Sequence, residues 1–318
     1  DFCPRFSPDG EKLAFISGRK GTTQVFVIPL KGGEAQQITQ MINGVSDISW
    51  SPDSQWIAFI SESTAEQNRI EDSGIMYGES FAGVTNEWAL DHQRELQDPR
   101  LITKLPYRTG TAFFDGKYQH VYVVPAKGGI PKRLSSGSYH HAAPDWSIDS
   151  KHVISNSNRD QSSGDENFEI WSSIIQFDIS TGEETVLVSE VSEEGREVIV
   201  SPDGKLLAHP YVSKSESPYA DPYYVAVSPN IPVAKSKVVS SDAQTVVSFK
   251  WAKDSEHLYF LTHDKGDGKI VRTSIVDGKT EGIVDGKRMV EQFSVDQSGK
   301  KIAFTSSSPI DPSNLYII

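Results

Sequence analysis

The sequence holds one cysteine, Cys3, in 318 residues. A lone thiol excludes an internal disulfide framework and cannot build a paired-cysteine metal or redox site; burial in a strand is its simplest use. Long apolar runs are missing as well, and none approaches the roughly 18 residues a membrane-spanning helix needs. The opening residues, Asp1-Phe2-Cys3-Pro4, carry neither a basic nor an apolar segment, so no secretory leader is legible and a cytoplasmic location is expected. Positive charge is in deficit. With 31 Lys and Arg against 43 Asp and Glu, the net charge of −12 argues against nucleic acid or an anionic membrane as partner. Capped helical periodicity is nearly absent, and only the stretch from Thr85 to Leu96 reads as a short helix.

What is present is repetition. An aromatic or apolar residue, then Ser-Pro-Asp-Gly or a relative, then an apolar strand occurs as Phe6-SPDGEKLAFIS and Trp50-SPDSQWIAFIS. Weaker copies are Trp146-SIDSKHVISNS, Val200-SPDGKLLAHP, Trp251-AKDSEHLYFLT and Val295-DQSGKKIAFTS. The starts at 6, 50, 146, 200, 251 and 295 are spaced 44, 96, 54, 51 and 44 residues apart. Each copy reads as a hairpin: proline presets φ, aspartate bonds the local backbone, and glycine accepts positive φ. A second hairpin follows, turning at Lys31-Gly32-Gly33 in the first unit and at Lys127-Gly128-Gly129 in the second. Four short strands in about 45 residues is the arithmetic of a propeller blade. The expectation is an all-β propeller of four-stranded blades, a single domain over 1–318, with blades starting near 1, 45, 141, 195, 246 and 290.

The 96-residue spacing marks a second blade interrupted between its second and third strands, over 62–112; an extra degenerate blade there fits less well. The last unit stops on a third strand, Asn314-Leu315-Tyr316-Ile317-Ile318, so neighbouring sequence is expected to complete the sheet.

The Phe/Trp-SPDG pattern resembles the WD40-like propeller repeat of prolyl oligopeptidase-family peptidases, tricorn-type proteases and TolB proteins. Within the insertion, Asp98-Pro99-Arg100-Leu101-Ile102-Thr103-Lys104-Leu105-Pro106-Tyr107-Arg108, followed by Phe113-Phe114-Asp115-Gly116, is similar to the acylaminoacyl-peptidase branch of that family. The resemblance implies seven blades in the parent and an α/β-hydrolase domain following on the same chain. It implies a propeller that gates access and shapes the cavity of a serine exopeptidase taking short or N-acylated peptides. Assembly into a homo-oligomer through blade edges is compatible with it. The alternative is a stand-alone TolB-like protein-binding propeller.

Catalytic residues are not expected within these 318 residues. The nearest approach to a Gly-x-Ser-x-Gly elbow, Gly78-Glu79-Ser80-Phe81-Ala82, lacks the final glycine and any βαβ context. His140-His141 are neighbours whose side chains point apart in a strand, and no metal or cofactor site is expected. Asp264-Lys265-Gly266-Asp267-Gly268 reads as a hairpin, because glycines stand where calcium ligands would be needed. Two candidate contact groups remain. Residues 62–100 carry nine acidic residues against three arginines, half of the net charge, and Glu71, Asp72 and Glu79 are candidates for an acidic lip facing cationic peptide termini. Tyr107, Arg108, Phe113 and Phe114 could wall an apolar substrate pocket, with Arg108 pairing a carboxylate or carbonyl.

Overall fold

The repeated turn organises the architecture. In the computed structural model, the Ser7 hydroxyl donates to Asp9 Oδ1 at 2.5 Å and accepts from Lys12 N–H, while Asp9 Oδ1 also accepts from Glu11 N–H. Gly10 takes φ of 71° in the turn, and the second strand starts at Lys12. The same wrap recurs at Ser51 with Asp53, Ser147 with Asp149 and Ser201 with Asp203. Two copies improvise. Where Ala252 replaces the serine, Asp254 accepts directly from His257 N–H. In the last copy the two residue types are exchanged, so Ser298 donates to Asp296, which accepts from Lys301 N–H.

The structure describes residues 1–72, 108–109, 112–113, 115–159, 171–192, 197–211, 224–240, 245–296 and 298–318. The chain falls into two compact units, Asp1–Thr185 and Val186–Ile318. In the first, blade 1 is β1 (Phe2–Phe6), β2 (Lys12–Ser17), β3 (Gln24–Pro29) and β4 (Gln36–Gln37) in spatial order β1-β2-β3-β4. Blade 2 is β5 (Ser46–Trp50) and β6 (Trp56–Thr64), helix α1 (Ala65–Asp72), the pair β7 (Arg108–Thr109) and β8 (Ala112–Phe113), then β9 (Lys117–Pro125) and β10 (Lys132–Arg133). Its sheet order, β10-β9-β6-β5, pairs β6 with β9 across the inserted segment. β6 outruns the boundary expected at 62 because Glu62, Ser63 and Thr64 pair with Gln119, Tyr118 and Lys117. Blade 3 is β11 (His141–Trp146), β12 (His152–Ser157), β13 (Trp171–Asp178) and β14 (Glu184–Ser192), a strand that begins in the first unit and runs on past its last residue, Thr185.

The second unit holds blade 4, with β15 (Ile199–Val200), β16 (Leu206–Tyr211), β17 (Tyr224–Pro229) and β18 (Lys237–Val238). Blade 5 is β19 (Thr245–Trp251), β20 (His257–Asp264), β21 (Asp267–Ser274) and β22 (Thr280–Val284). Its β20–β21 hairpin turns through Lys265 and Gly266, at φ of 51° and 90°, the two positive values a tight primed turn requires. Blade 6 is β23 (Met289–Val295), β24 (Ile302–Ser307) and β25 (Asn314–Ile317), three strands among the described residues. Sheets of this size, order and repetition define an all-β propeller fold.

Middle strands carry the core: Ile57, Ala58, Val121, Val124, Ile174, Ile175, Leu207, Ala208, Leu258 and Ile270 are wholly buried. A second repeated device joins blades within each unit. Trp50, Trp146 and Trp251 each end a first strand and donate indole N–H to a carbonyl of the preceding first strand: Arg5, Ser49 and Ile199, at 3.0, 3.1 and 3.0 Å. Four residues on, Ser54, Ser150 and Ser255 occupy the glycine position at φ of 61°, 60° and 58°. Their hydroxyls accept from the N–H of Asp9, Asp53 and Asp203 in the preceding turn. Copies without the tryptophan, those of Phe6, Val200 and Val295, have Gly10, Gly204 and Gly299 at that position instead. Tryptophan and serine therefore act as a pair. Outer strands add a further tie: Lys132 Nζ donates to the carbonyls of Ile179 and Ser180, and Lys237 Nζ to that of Ile275.

Candidate functional site

The insertion leaves blade 2 through α1, Ala65-Glu66-Gln67-Asn68-Arg69-Ile70-Glu71-Asp72. This octapeptide has no apolar stripe, so its helicity comes from its start. Thr64 Oγ1 accepts from Gln67 N–H at 3.2 Å and Gln67 Oε1 accepts from Thr64 N–H at 2.9 Å, a reciprocal capping box. Periodicity had no means of finding this helix; the Thr-x-x-Gln spacing carries the signal.

The face α1 buries is polar. Gln67 and Asn68 are its buried residues, and Gln67 Oε1 also accepts from Asn43 Nδ2. Ser63 Oγ donates to Asn68 Oδ1 at 2.6 Å, which turns the Asn68 amide nitrogen toward His120 Nε2 at 3.1 Å. His120 Nδ1 meets Ser135 Oγ at 3.0 Å. At the helix end Arg133 Nε donates to Glu71 Oε2 at 2.9 Å and Nη2 to Asp72 Oδ1 at 2.5 Å. Tyr122 O–H donates to the Glu71 carboxylate at 3.2 Å, and the Tyr122 ring stacks on Phe59. Burial pulls the Arg133 guanidinium down, but the Glu71 hydrogen bond and both carboxylate charges more than offset it, so it stays above its ordinary value. Burial, then the Glu71 charge, raises the Tyr122 phenol.

The expected site residues fall into three groups. Glu71 and Asp72 lie together at the end of α1 but differ: the Glu71 side chain is 11% exposed against Arg133, whereas Asp72 is 70% exposed. Arg108 and Phe113 are brought opposite each other in the β7–β8 pair. Tyr107, Phe114 and Glu79 lie outside the described residues, as do Ser80 and the expected helix from Thr85 to Leu96. Sequence reasoning missed Arg133, which sits 62 residues from Glu71 and became visible as its partner only in the fold.

The histidines meet serines without forming nucleophilic machinery. His120 meets Ser135, and His209 meets Ser228 and Ser236 at 3.0 and 3.1 Å, yet both imidazoles are 0% exposed. The far nitrogen of His120 faces Asn68 and that of His209 the Pro210 carbonyl, where a triad needs a carboxylate. His257 pairs with Asp254, but that pair is bonded to Arg272. Among the described residues no group of three or more His, Cys, Asp or Glu could hold a metal ion, and no helix is long and apolar enough to cross a membrane.

The fold thus defines a propeller whose distinguishing elaboration is the segment inserted in blade 2. No protein-family model matches the chain. It is 32% identical over 157 residues to the uncharacterized peptidase YuxL of Bacillus subtilis, a match covering 49% of this chain and 21% of that protein. Among solved structures, the acylaminoacyl peptidase of Pyrococcus horikoshii superposes with a TM-score of 0.70 at 18% identity, covering 99% of this chain and 43% of that one. A putative TolB from Agrobacterium tumefaciens reaches 0.54 at 15% identity, covering 99% of this chain and 88% of its own. The chain therefore spans less than half the length of the peptidases it matches.

Proposed function

We propose that this propeller is the non-catalytic part of a serine exopeptidase, that it controls access to the reaction site, and that it helps shape the cavity for short or N-acylated peptides. The match to a peptidase at 32% identity over 157 residues carries this reading, and the acylaminoacyl-peptidase superposition over 99% of the chain supports it. In this reading an α/β-hydrolase domain of the same polypeptide supplies serine, histidine and aspartate. The propeller contributes a rigid screen against folded proteins. Asp72 and Glu79 form the acidic lip that draws a peptide's ammonium group, while Glu71 holds the lip in place through Arg133. Tyr107, Arg108, Phe113 and Phe114 line the approach.

The test uses the full-length enzyme and a series of N-acetylated peptides of increasing length. Access control requires kcat/KM to collapse beyond a short length and a folded protein to resist cleavage. Equal cleavage of long and short substrates contradicts it. The second reading, a protein-binding propeller, draws on the TolB superposition, which takes in 88% of that smaller protein. An envelope protein retained in pull-downs would favour it.

A further inference from the structure

Within the first compact unit, one buried side chain has no protein group to bond. The His141 ring, at the start of β11, is 1% exposed, and neither Nδ1 nor Nε2 has a hydrogen-bond partner among the described residues. A neutral imidazole is a donor at one nitrogen and an acceptor at the other, and a buried polar atom left unpaired is costly. The rings beside it cannot supply both bonds. Phe177 meets it edge to face at 5.5 Å, and His120 stacks on it at 6.3 Å. A ring face receives an N–H weakly, but an aromatic C–H is a poor donor to a nitrogen lone pair. His120 has no nitrogen to spare, since its own two meet Asn68 and Ser135.

Strand register brings a second unpaired group to the same place. His141 stands opposite Ser157 in the β11–β12 pair, and Ser157 stands opposite Ser173 in the β12–β13 pair. Opposed residues of an antiparallel pair share a face, so an imidazole and two small hydroxyl side chains form one row. Ser157 Oγ is also buried and without a partner among the described residues. Beyond this row the joint is apolar, with Ala58, Ile60, Val121 and Val123 of blade 2 packed in one cluster with Val153 and Ile175 of blade 3.

We propose that His141 and Ser157 are the two ends of an internal water site in the joint between blades 2 and 3: the water donates to the acceptor nitrogen of the ring and accepts from the serine hydroxyl. The chemistry of the pair selects the ligand. An anion has no proton to give the lone pair. A metal ion would find two neutral ligands, fewer than the three or more protein ligands a bound transition metal takes. Water both donates and accepts, and it is the smallest group that does. The ring keeps its lone pair because it stays neutral: burial, then the basic His120, Arg159 and His140, hold it well below its ordinary value.

The experiment joins a high-resolution crystal structure of the folded chain with oxygen-17 relaxation dispersion of the solvent, in wild type and His141→Phe. Phenylalanine keeps a ring against Phe177 and His120 and removes both nitrogens. Wild-type density should show a water about 2.7–3.2 Å from one ring nitrogen and from Ser157 Oγ, and the variant's dispersion should fall by about one long-lived water. A direct His141–Ser157 bond, a protein atom or an ion at the nitrogens, or no density there would overturn the proposal, as would equal dispersion in the two proteins. Should the variant fail to fold, water cross-relaxation to the His141 ring hydrogens of the wild type decides: a signal from long-lived water supports the site, and its absence overturns it.

Discussion

Ser150 is a residue whose worth can be divided. It sits at φ of 60°, where glycine would be at ease, and its hydroxyl accepts from Asp53 N–H at 3.1 Å. A non-glycine residue in that region loses about 1–2 kcal/mol, and a hydrogen bond returns about 1 kcal/mol. Ser150→Ala keeps the strain and removes the bond, so urea unfolding should show a loss of about 1 kcal/mol. Ser150→Gly removes both and should fall within a few tenths of wild type. Equal losses from the two would contradict the pairing of strain with bond. His209 gives a pH-dependent counterpart. Its Nδ1–H donates to the Pro210 carbonyl, and its Nε2 accepts from Ser228 and Ser236. Burial lowers it from 6.5 to about 4. Below pH 6.5 the unfolded chain takes the proton that the folded chain refuses, so stability is full above that value and declines as pH falls toward 4. The gap corresponds to about 3 kcal/mol. His209→Gln should lower unfolding free energy at neutral pH but flatten its decline with acid; an equally steep decline would remove His209 as a source.

At the scale of elements, α1 and Arg133 make one unit. Arg133 and Glu71 are both nearly buried, so removing one partner leaves a charge without compensation. Arg133→Met should destabilise by about 3 kcal/mol, whereas Asp72→Asn, at an exposed carboxylate, should cost less than about 1 kcal/mol. On the proposed reading, Asp72→Asn in the full-length protein should weaken capture of cationic peptides at low salt, and Glu71→Gln should act chiefly through stability, read by thermal melting against kcat/KM. Legibility differed sharply between these elements. Turns were readable because Ser-Pro-Asp-Gly specifies its own local bonds, and each of the six copies lies at the first turn of one blade sheet. The pairing of tryptophan with serine was written in the same copies, yet its meaning needed the preceding blade. α1 was hidden because its start is encoded in a capping box and its docking surface in residues of β9 and β10. Arg108 and Phe113 were singled out by residue chemistry and by the family stretch, and the β7–β8 pairing that sets them opposite each other came from the fold.

At the scale of the whole molecule, repetition dictates the fold, while function depends on what the fold is attached to. On the proposed reading the nucleophile belongs to the hydrolase domain, so the 318-residue chain by itself should leave N-acetyl-aminoacyl p-nitroanilides intact; turnover by the purified chain would contradict that reading. The most direct test of the central claim is intact mass and fluorophosphonate labelling of the native protein from its own cell, captured with an antibody against this chain. The account predicts one polypeptide of about 70 kDa, roughly twice the 35.1 kDa of this chain and enough for two domains, with its active serine labelled. An unlabelled polypeptide of about 35 kDa would contradict it and leave a binding propeller.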